Sequence, residues 1–320
     1  MKLHRRQWVL GLLLAASACL SAAEEPPVKL LVGYPPGDSS DTLARMLTEP
    51  LKQQLGQTVI VDNRTGAGGI LAAEATKSAA PDGRTLMLAP LAPMVTFPFT
   101  FTKLGYDPIK DFEPVAMLAT FDLAIAVNAT TGPKTMAEFA ERLKKEPALA
   151  NFGSPAAGSL PHMFGLELGR VLNVPTTHVA YRGDAPAKQD LMAGIVGFVV
   201  APTAAFIELE KSGRVRVLAT SGRQRSVALP HVPTLKEAGV DLEGQAWFAL
   251  FAPARTPKTV IDKISQAAQV AMADPGTKRR LNDLEIYPNP QGPAELATIL
   301  SRDQQRWSAV IKRSGFKSSN

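Results

Sequence analysis

The order of apolar runs and amphipathic stretches in this 320-residue chain predicts an α/β protein of two lobes, crossed twice by the chain. Three observations carry that expectation. Short β-rich runs alternate with helical patterns over 28–90, the pattern of a parallel sheet with right-handed crossovers. A second series of the same kind occupies 125–221. Two long helical patterns are then left over near the C-terminus. If they rejoin the first series, 24–124 and 222–320 form one lobe and 125–221 the other. Such a body leaves a cleft between α/β lobes, where ligands usually sit.

The first residues are a separate matter. "MKLHRRQ" is basic, "WVLGLLLAASACL" is apolar but short for a membrane span, and "SAAEE" offers small residues. This order is that of a cleaved secretory signal over 1–23, with the cut after Ala23. Cys19 is the only cysteine and falls inside the signal, so the exported chain has no disulfide, thiolate metal site or cysteine nucleophile. Lys2, Arg5 and Arg6 supply three of the six net positive charges, leaving +3. The basic balance is therefore no argument for nucleic acid, and no Lys/Arg cluster interleaves with aromatics.

Within the mature chain, "VKLLVGY" reads as a strand. "SDTLARMLTEPLKQQLG" reads as a helix with Leu43, Met46, Leu47 and Leu51 on one face. "TVIVDN" is a strand, "ILAAEATKSA" a helix stopped by "PDG", and "RTLMLAP" a third strand. "PMVTFPFTFTKLGYDPIKDF" is expected to be a loop, followed by two buried strands, "PVAMLAT" and "DLAIAVN". The second series runs helix "TMAEFAERLKKE", strand "ANFGSP", helix "LPHMFGLELGRVLN", strand "TTHVAYRG" and helix "PAKQDLMAG". Strand "VGFVVAP", helix "AAFIELEKSG" and strand "VRVLATSG" complete it. "AWFALFAPA" and the helices "KTVIDKISQAAQVAMAD" and "PAELATILSRDQQRWSAVIKRSG" close the chain, with no repeat of fixed period.

Two strand-to-helix junctions stand out chemically. In "YPPGDSSDTLARML", Pro35 and Pro36 stiffen the turn, Gly37 frees it, and Ser39, Ser40 or Asp41 is placed to cap the helix. In "NFGSPAAGSLPHM", Ser159 is placed to cap a helix from Leu160, with Pro161 tolerated in its first turn. A helix start has backbone N–H groups without internal partners and a partial positive charge. One such junction is commonly a cap and nothing more. Two at corresponding places of two lobes make an anion held between them as good a reading as two plain caps, and spacing alone goes no further.

At these residues the sequence resembles the Bug-type extracytoplasmic solute receptors of tripartite tricarboxylate transporters, over essentially the whole mature chain. "LGQTVIVDNRTGAGGILAAEATKSAAPDGRTLML" is the most specific block, and "LGYDPIKDFEPVAML", "FGSPAAGSLPH", "VAYRGDAPAKQDLMAG" and "LPHVPTLKEAG" match further ones. The resemblance implies a type II periplasmic binding fold, a Venus flytrap, that closes on a small carboxylate without a cofactor. It implies a periplasmic monomer working with membrane permease subunits, or alternatively with a sensor kinase. On the family pattern the first loop supplies Pro36, Gly37, Ser39, Ser40 and Asp41, and the second Ser154, Ala157, Gly158, Ser159 and His162. Pro90, Leu91 and Ala92 after the third strand and the Arg182, Gly183, Asp184 turn complete the ligand-facing set. Asn63, Arg64 and the glycines at 66–69 read as structural.

Departures from the family pattern bear on specificity. Asp38 stands where the family usually has Gly, Asp184 where a small or neutral residue is common, and Gly197 where Asp is frequent. "APLAP" lacks the hydroxyls often found after the third strand. Asp38 and Asp184 near a carboxylate pocket would repel a plain dicarboxylate. They are expected either to recognise an amino group, favouring an amphoteric or monocarboxylate ligand over citrate, or to point to solvent.

Enzyme readings fare worse. "GDS" at Gly37–Ser39 resembles the nucleophile block of GDSL hydrolases, but that chemistry needs a His base in a late Asp-x-x-His. His162, His178 and His231 are the histidines of the mature chain, and none has that spacing. No two are spaced in the sequence for a shared metal-ligand face. "GAGG" lacks a dinucleotide fingerprint and no Walker lysine is present.

Overall fold

The computed structural model describes residues 26–317. The expected leader at 1–23, its cleavage point and Cys19 lie outside the described residues. β1 (Val28–Val32), α1 (Ser39–Leu55), β2 (Val59–Asn63), α2 (Ile70–Lys77) and β3 (Thr85–Pro90) follow in the expected order. β1 lies between β2 and β3, parallel to both, and its Val/Leu run is buried. Leu43, Leu47, Leu51 and Leu55, four residues apart, form the buried stripe of α1. Gly56 ends that helix in the left-handed conformation, its N–H donating to Lys52 O. The GAGG turn is structural, as expected: a Cβ on Gly33 would sit 2.4 Å from Gly69 Cα, so the end of β1 packs directly on that turn.

Two expectations need correction here. The Pro-rich segment after β3 is not all loop. It forms α3 (Leu91–Val95) and α4 (Phe97–Thr100), because its apolar residues Leu91, Met94, Val95 and Phe97 are buried. The two apolar runs after it are one 17-residue strand, β4 (Phe112–Asn128). The acidic Asp122 does not interrupt it. Its carboxylate is buried inside the sheet and accepts from Gln245 Nε2 at 3.0 Å.

The second series gives α5 (Met136–Lys145), β5 (Asn151–Ser154), α6 (Leu160–Val171), β6 (Thr177–Ala180) and α7 (Asp184–Met192). It continues with β7 (Phe198–Pro202), α8 (Ile207–Lys211) and β8 (Val215–Thr220). β5 is parallel to β6 and β7. Then come β9 (Gln245–Pro253), α9 (Lys258–Ala273), α10 (Pro275–Asn282), β10 (Ile286–Gln291) and α11 (Pro293–Ser314). The sheet runs β2-β1-β3-β9-β4-β7-β5-β6, with β8 and β10 also on β4. β4 changes partners along its length. Phe112–Asp122 pairs with β9, and Met117–Phe121 also with β10. Leu123–Asn128 pairs with β7 and β8. α9 returns to pack on α1 and β4, while α11 packs on β4, α3 and α6.

Gly197, where the family often has Asp, has a local reason. A Cβ there would meet Leu149 O at 1.9 Å, and its N–H donates to Asn151 Oδ1 at 2.9 Å. No side chain fits in this backbone arrangement.

Ser221 stitches the place where β4 changes partners. Its Oγ accepts from Leu123 N–H at 2.8 Å and donates to Gly244 O at 2.5 Å, fully buried. Ser221→Ala leaves both backbone groups unsatisfied and should cost about 1–3 kcal/mol in urea unfolding. A loss within error of zero would mean that this stitch is replaced by solvent.

Candidate ligand-binding site

Four turns lie at the C-terminal ends of parallel strands: those after β1, β3, β5 and β6. In open α/β sheets that edge is where ligands are bound. A narrow cavity of about 40 Å³ brings them together between the two halves of the sheet. Asp38, Ser39 and Ser40 line it from the first turn, Pro90, Leu91 and Ala92 from the second, Ser159 from the third and Asp184 from the fourth. An outer cavity of about 290 Å³ shares Asp38, Ser39 and Asp184 with it and adds Pro36, Gly37, Arg182, Gly183 and Lys188. A groove of about 670 Å³ on another side takes in Ala157, Arg182 and Gly183 with the GAGG turn.

The first mouth differs from expectation in its chemistry. Its N-cap is Asp38, not Ser39, Ser40 or Asp41, and the Asp38 carboxylate accepts from Ser40 N–H at 3.4 Å. Asp41 is buried and lines neither cavity. It accepts from Gly37 N–H, Arg45 Nε and Asn63 Nδ2, each at 2.8 Å. Burial works to raise its pKa, and the bonds from Arg45, Gly37 and Asn63 outweigh that and hold it below the ordinary carboxylate range. Asp41 therefore fixes the shape of the loop. Two of the N–H groups at this mouth are already occupied by the chain's own carboxylates.

The second mouth is capped as expected by Ser159, which accepts from His162 N–H at 3.3 Å and donates to Ala156 O at 2.7 Å. Ser154, Gly158 and His162 do not reach the cavity. His162 is buried, and its Nδ1 accepts from Gly158 N–H at 2.9 Å, which leaves the neutral ring's proton on Nε2. Its ring stacks on His178 with centroids 3.5 Å apart, and Ser154 Oγ lies 2.7 Å from His178 Nε2. Burial, then the neighbouring His178, pushes His162 down to about 2, and burial pushes His178 down to about 4. Both rings are neutral near pH 7 and pack against each other.

The remaining walls had no local signal in the sequence. Tyr34 follows β1 directly, whereas Phe121 of β4 and Ala246 and Phe248 of β9 reach the cavity only because those strands pair. Phe121 and Phe248 stack with centroids 4.5 Å apart. Tyr34 is buried, and burial, then Asp38 and Asp184, raises its hydroxyl far above the usual phenol range. Burial is also the main reason Asp38 is pushed up to about 6, with the Ser40 and Ser39 N–H groups and Lys188 opposing it. Asp184 is raised further by burial and by Asp38, with Lys188 opposing.

Comparison with known proteins decides what kind of site this is. The family model described as the tripartite tricarboxylate transporter family receptor matches residues 43–316. The chain belongs to that family. These receptors are solute-binding proteins, and the chain shares their periplasmic binding fold. The solved structure of the periplasmic binding protein BugD is 30% identical, with a TM-score of 0.85 over 92% of this chain and 99% of that one. MatC from Rhodopseudomonas palustris with bound malate is 32% identical, with a TM-score of 0.83 over 89% and 98%. R. palustris Rpa4515 with adipate is 27% identical, with a TM-score of 0.87 over 91% and 98%. No helix among the receptor's described residues is long and apolar enough to cross a membrane.

The stacked histidines set a sign for acid sensitivity. Their folded pKa values lie below the unfolded value of about 6.5, so the unfolded chain takes up protons first. Their contribution to stability is whole above that pH and is lost as pH falls from there toward 4. His178→Phe should flatten the fall in unfolding free energy between pH 6.5 and 4.5 by up to about 1.4 kcal/mol per pH unit, read from urea curves at each pH. Parallel curves for the two proteins would rule out this source of acid sensitivity.

Proposed function

We propose that this protein is a periplasmic receptor that captures a small organic carboxylate between its two lobes, 24–124 with 222–320 and 125–221. It would then hand the solute to the membrane permease subunits of a tripartite tricarboxylate-type transporter. The observation that carries this reading is the narrow cavity in which the first mouth (Asp38–Ser40), the second (Ser159–Pro161) and the turn after β3 meet. Support comes also from the malate and adipate in the MatC and Rpa4515 structures, and from the secretory order of residues 1–23.

The chemistry suits a carboxylate at the second mouth. The Leu160 N–H stands in the first turn of α6, where no helical acceptor exists, and the helix dipole favours an anion by about 0.3–1 kcal/mol. Phe121, Phe248, Leu91 and Leu160 would cover the ligand's carbon skeleton. Closure would exclude water and strengthen each polar contact. No acid–base pair or nucleophile is required, since the solute leaves unchanged.

Ser39→Leu fills the cavity from one side, and Ser159→Asn fills it from the other while keeping a capping side chain. Each should weaken binding of three- to six-carbon mono-, di- and amino-carboxylates at least tenfold in titration calorimetry, with melting temperatures near that of the parent. Unchanged affinity in both variants would place the site elsewhere.

A further inference from the structure

Asp184 opens α7 at 8% exposure, and its Oδ1 has no hydrogen-bond partner among the described residues. It lines the narrow cavity and the outer one, and so does Asp38. The two carboxyls come from opposite halves, Asp38 after β1 and Asp184 after β6. The Asp38 carboxyl borders the turn that carries Asp184: a Cβ on Gly183, the residue before it, would stand 3.7 Å from Asp38 Oδ2. No lysine or arginine lines the narrow cavity. Lys188 lines only the outer one, and its Nζ donates to Ala205 O at 3.2 Å. Asp184 is buried, whereas Asp38 is half-buried and also borders the outer cavity.

An orphaned buried carboxyl oxygen is unfavourable unless a donor fills the space before it. Two carboxyls lining one narrow cavity that holds no lysine or arginine resist ionising together, and a cation between them relieves this. We propose that Asp38 and Asp184 together receive a protonated amine, so that the solute is an amino-carboxylate: its ammonium bridges the two acids and its carboxylate lies at Ser159 and the Leu160 N–H. This rests on the carboxylate-receptor reading above and narrows it. An ammonium has three donors and no acceptor, which matches a slot with acceptors in excess. It also links one acid of each half, so ligand binding itself draws the halves together. A plain dicarboxylate would set a second anion against two acids and gain nothing from the orphaned oxygen.

The pair also predicts a pH dependence. The groups facing it are the Tyr34 hydroxyl, Asp41 held by Arg45, Lys188, and Arg182 at the outer mouth. Without ligand, burial keeps a proton on the pair into the region of pH 6. The ammonium takes that proton's place and releases it to buffer, so affinity for an amine tightens as pH rises from 5 to 7.5.

Titration calorimetry on the mature chain tests this with matched probes. These are the α-amino acids and ω-aminoalkanoates of three to six carbons, each against its deaminated acid and the dicarboxylate of equal length. We expect the best amino-carboxylate to bind at least tenfold tighter than both counterparts. In Asp38→Asn and Asp184→Asn that ratio should fall to near one. The ratio is internal to each variant, so a loss of folded protein does not mimic it. If deaminated acids or dicarboxylates bind the parent as tightly as the amines, or if both variants keep the ratio, the ammonium assignment fails while the carboxylate reading stands. If no probe binds the parent protein, both fail.

Discussion

Strand β4 is the constraint on which the rest of the molecule depends. One unbroken run of backbone serves two sets of partners, β9 and β10 along its first part and β7 and β8 along its last. Because both halves are built on the same strand, their parallel strands end at one shared seam. The turns after β1, β3, β5 and β6 therefore meet there, although they are far apart in sequence. Asp122 and Ser221 satisfy the backbone and side-chain polar groups at the changeover, where an apolar strand alone would leave them unpaired.

The seam is not symmetric. At the first mouth the chain's own carboxylates take up a helix-start donor, Ser40 N–H on Asp38, and the loop N–H of Gly37 on Asp41. That mouth offers acceptors to a ligand as well as donors. At the second, Ser159 caps the helix with a neutral hydroxyl, and the histidines beneath it are uncharged. The two mouths of the cavity thus differ, with acidic side chains at one and a neutral hydroxyl cap at the other.

Much of this was legible in the chain and some of it was not, for identifiable reasons. Alternation of Val/Leu runs with four-residue stripes such as Leu43, Leu47 and Leu51 gave the order of elements over 28–90. β4 reads as two apolar runs in the sequence, and the carboxylate between them, Asp122, stays inside one strand only because Gln245, distant in sequence, donates to it. β10 was missed since "IYPNPQ" holds two prolines. It survives as a short partner of β4 with a register shift between Pro288 and Gln291. Asp-Ser-Ser-Asp offers four acceptable caps, so local chemistry could not single out Asp38. His162 reads as ligand-facing on the family pattern. Only the packing of α6 over the β5–β6 pair stacks it on His178 and turns it inward.

The most direct test of the central idea, a solute bridging both halves at the seam, is a crystal structure of the protein purified from the periplasm with its retained solute. The account predicts electron density in the slot between Ser39–Ser40 and Ser159–Leu160, in contact with residues of both halves. Density confined to one half, or lying in the groove beside the GAGG turn with the slot empty, would contradict it.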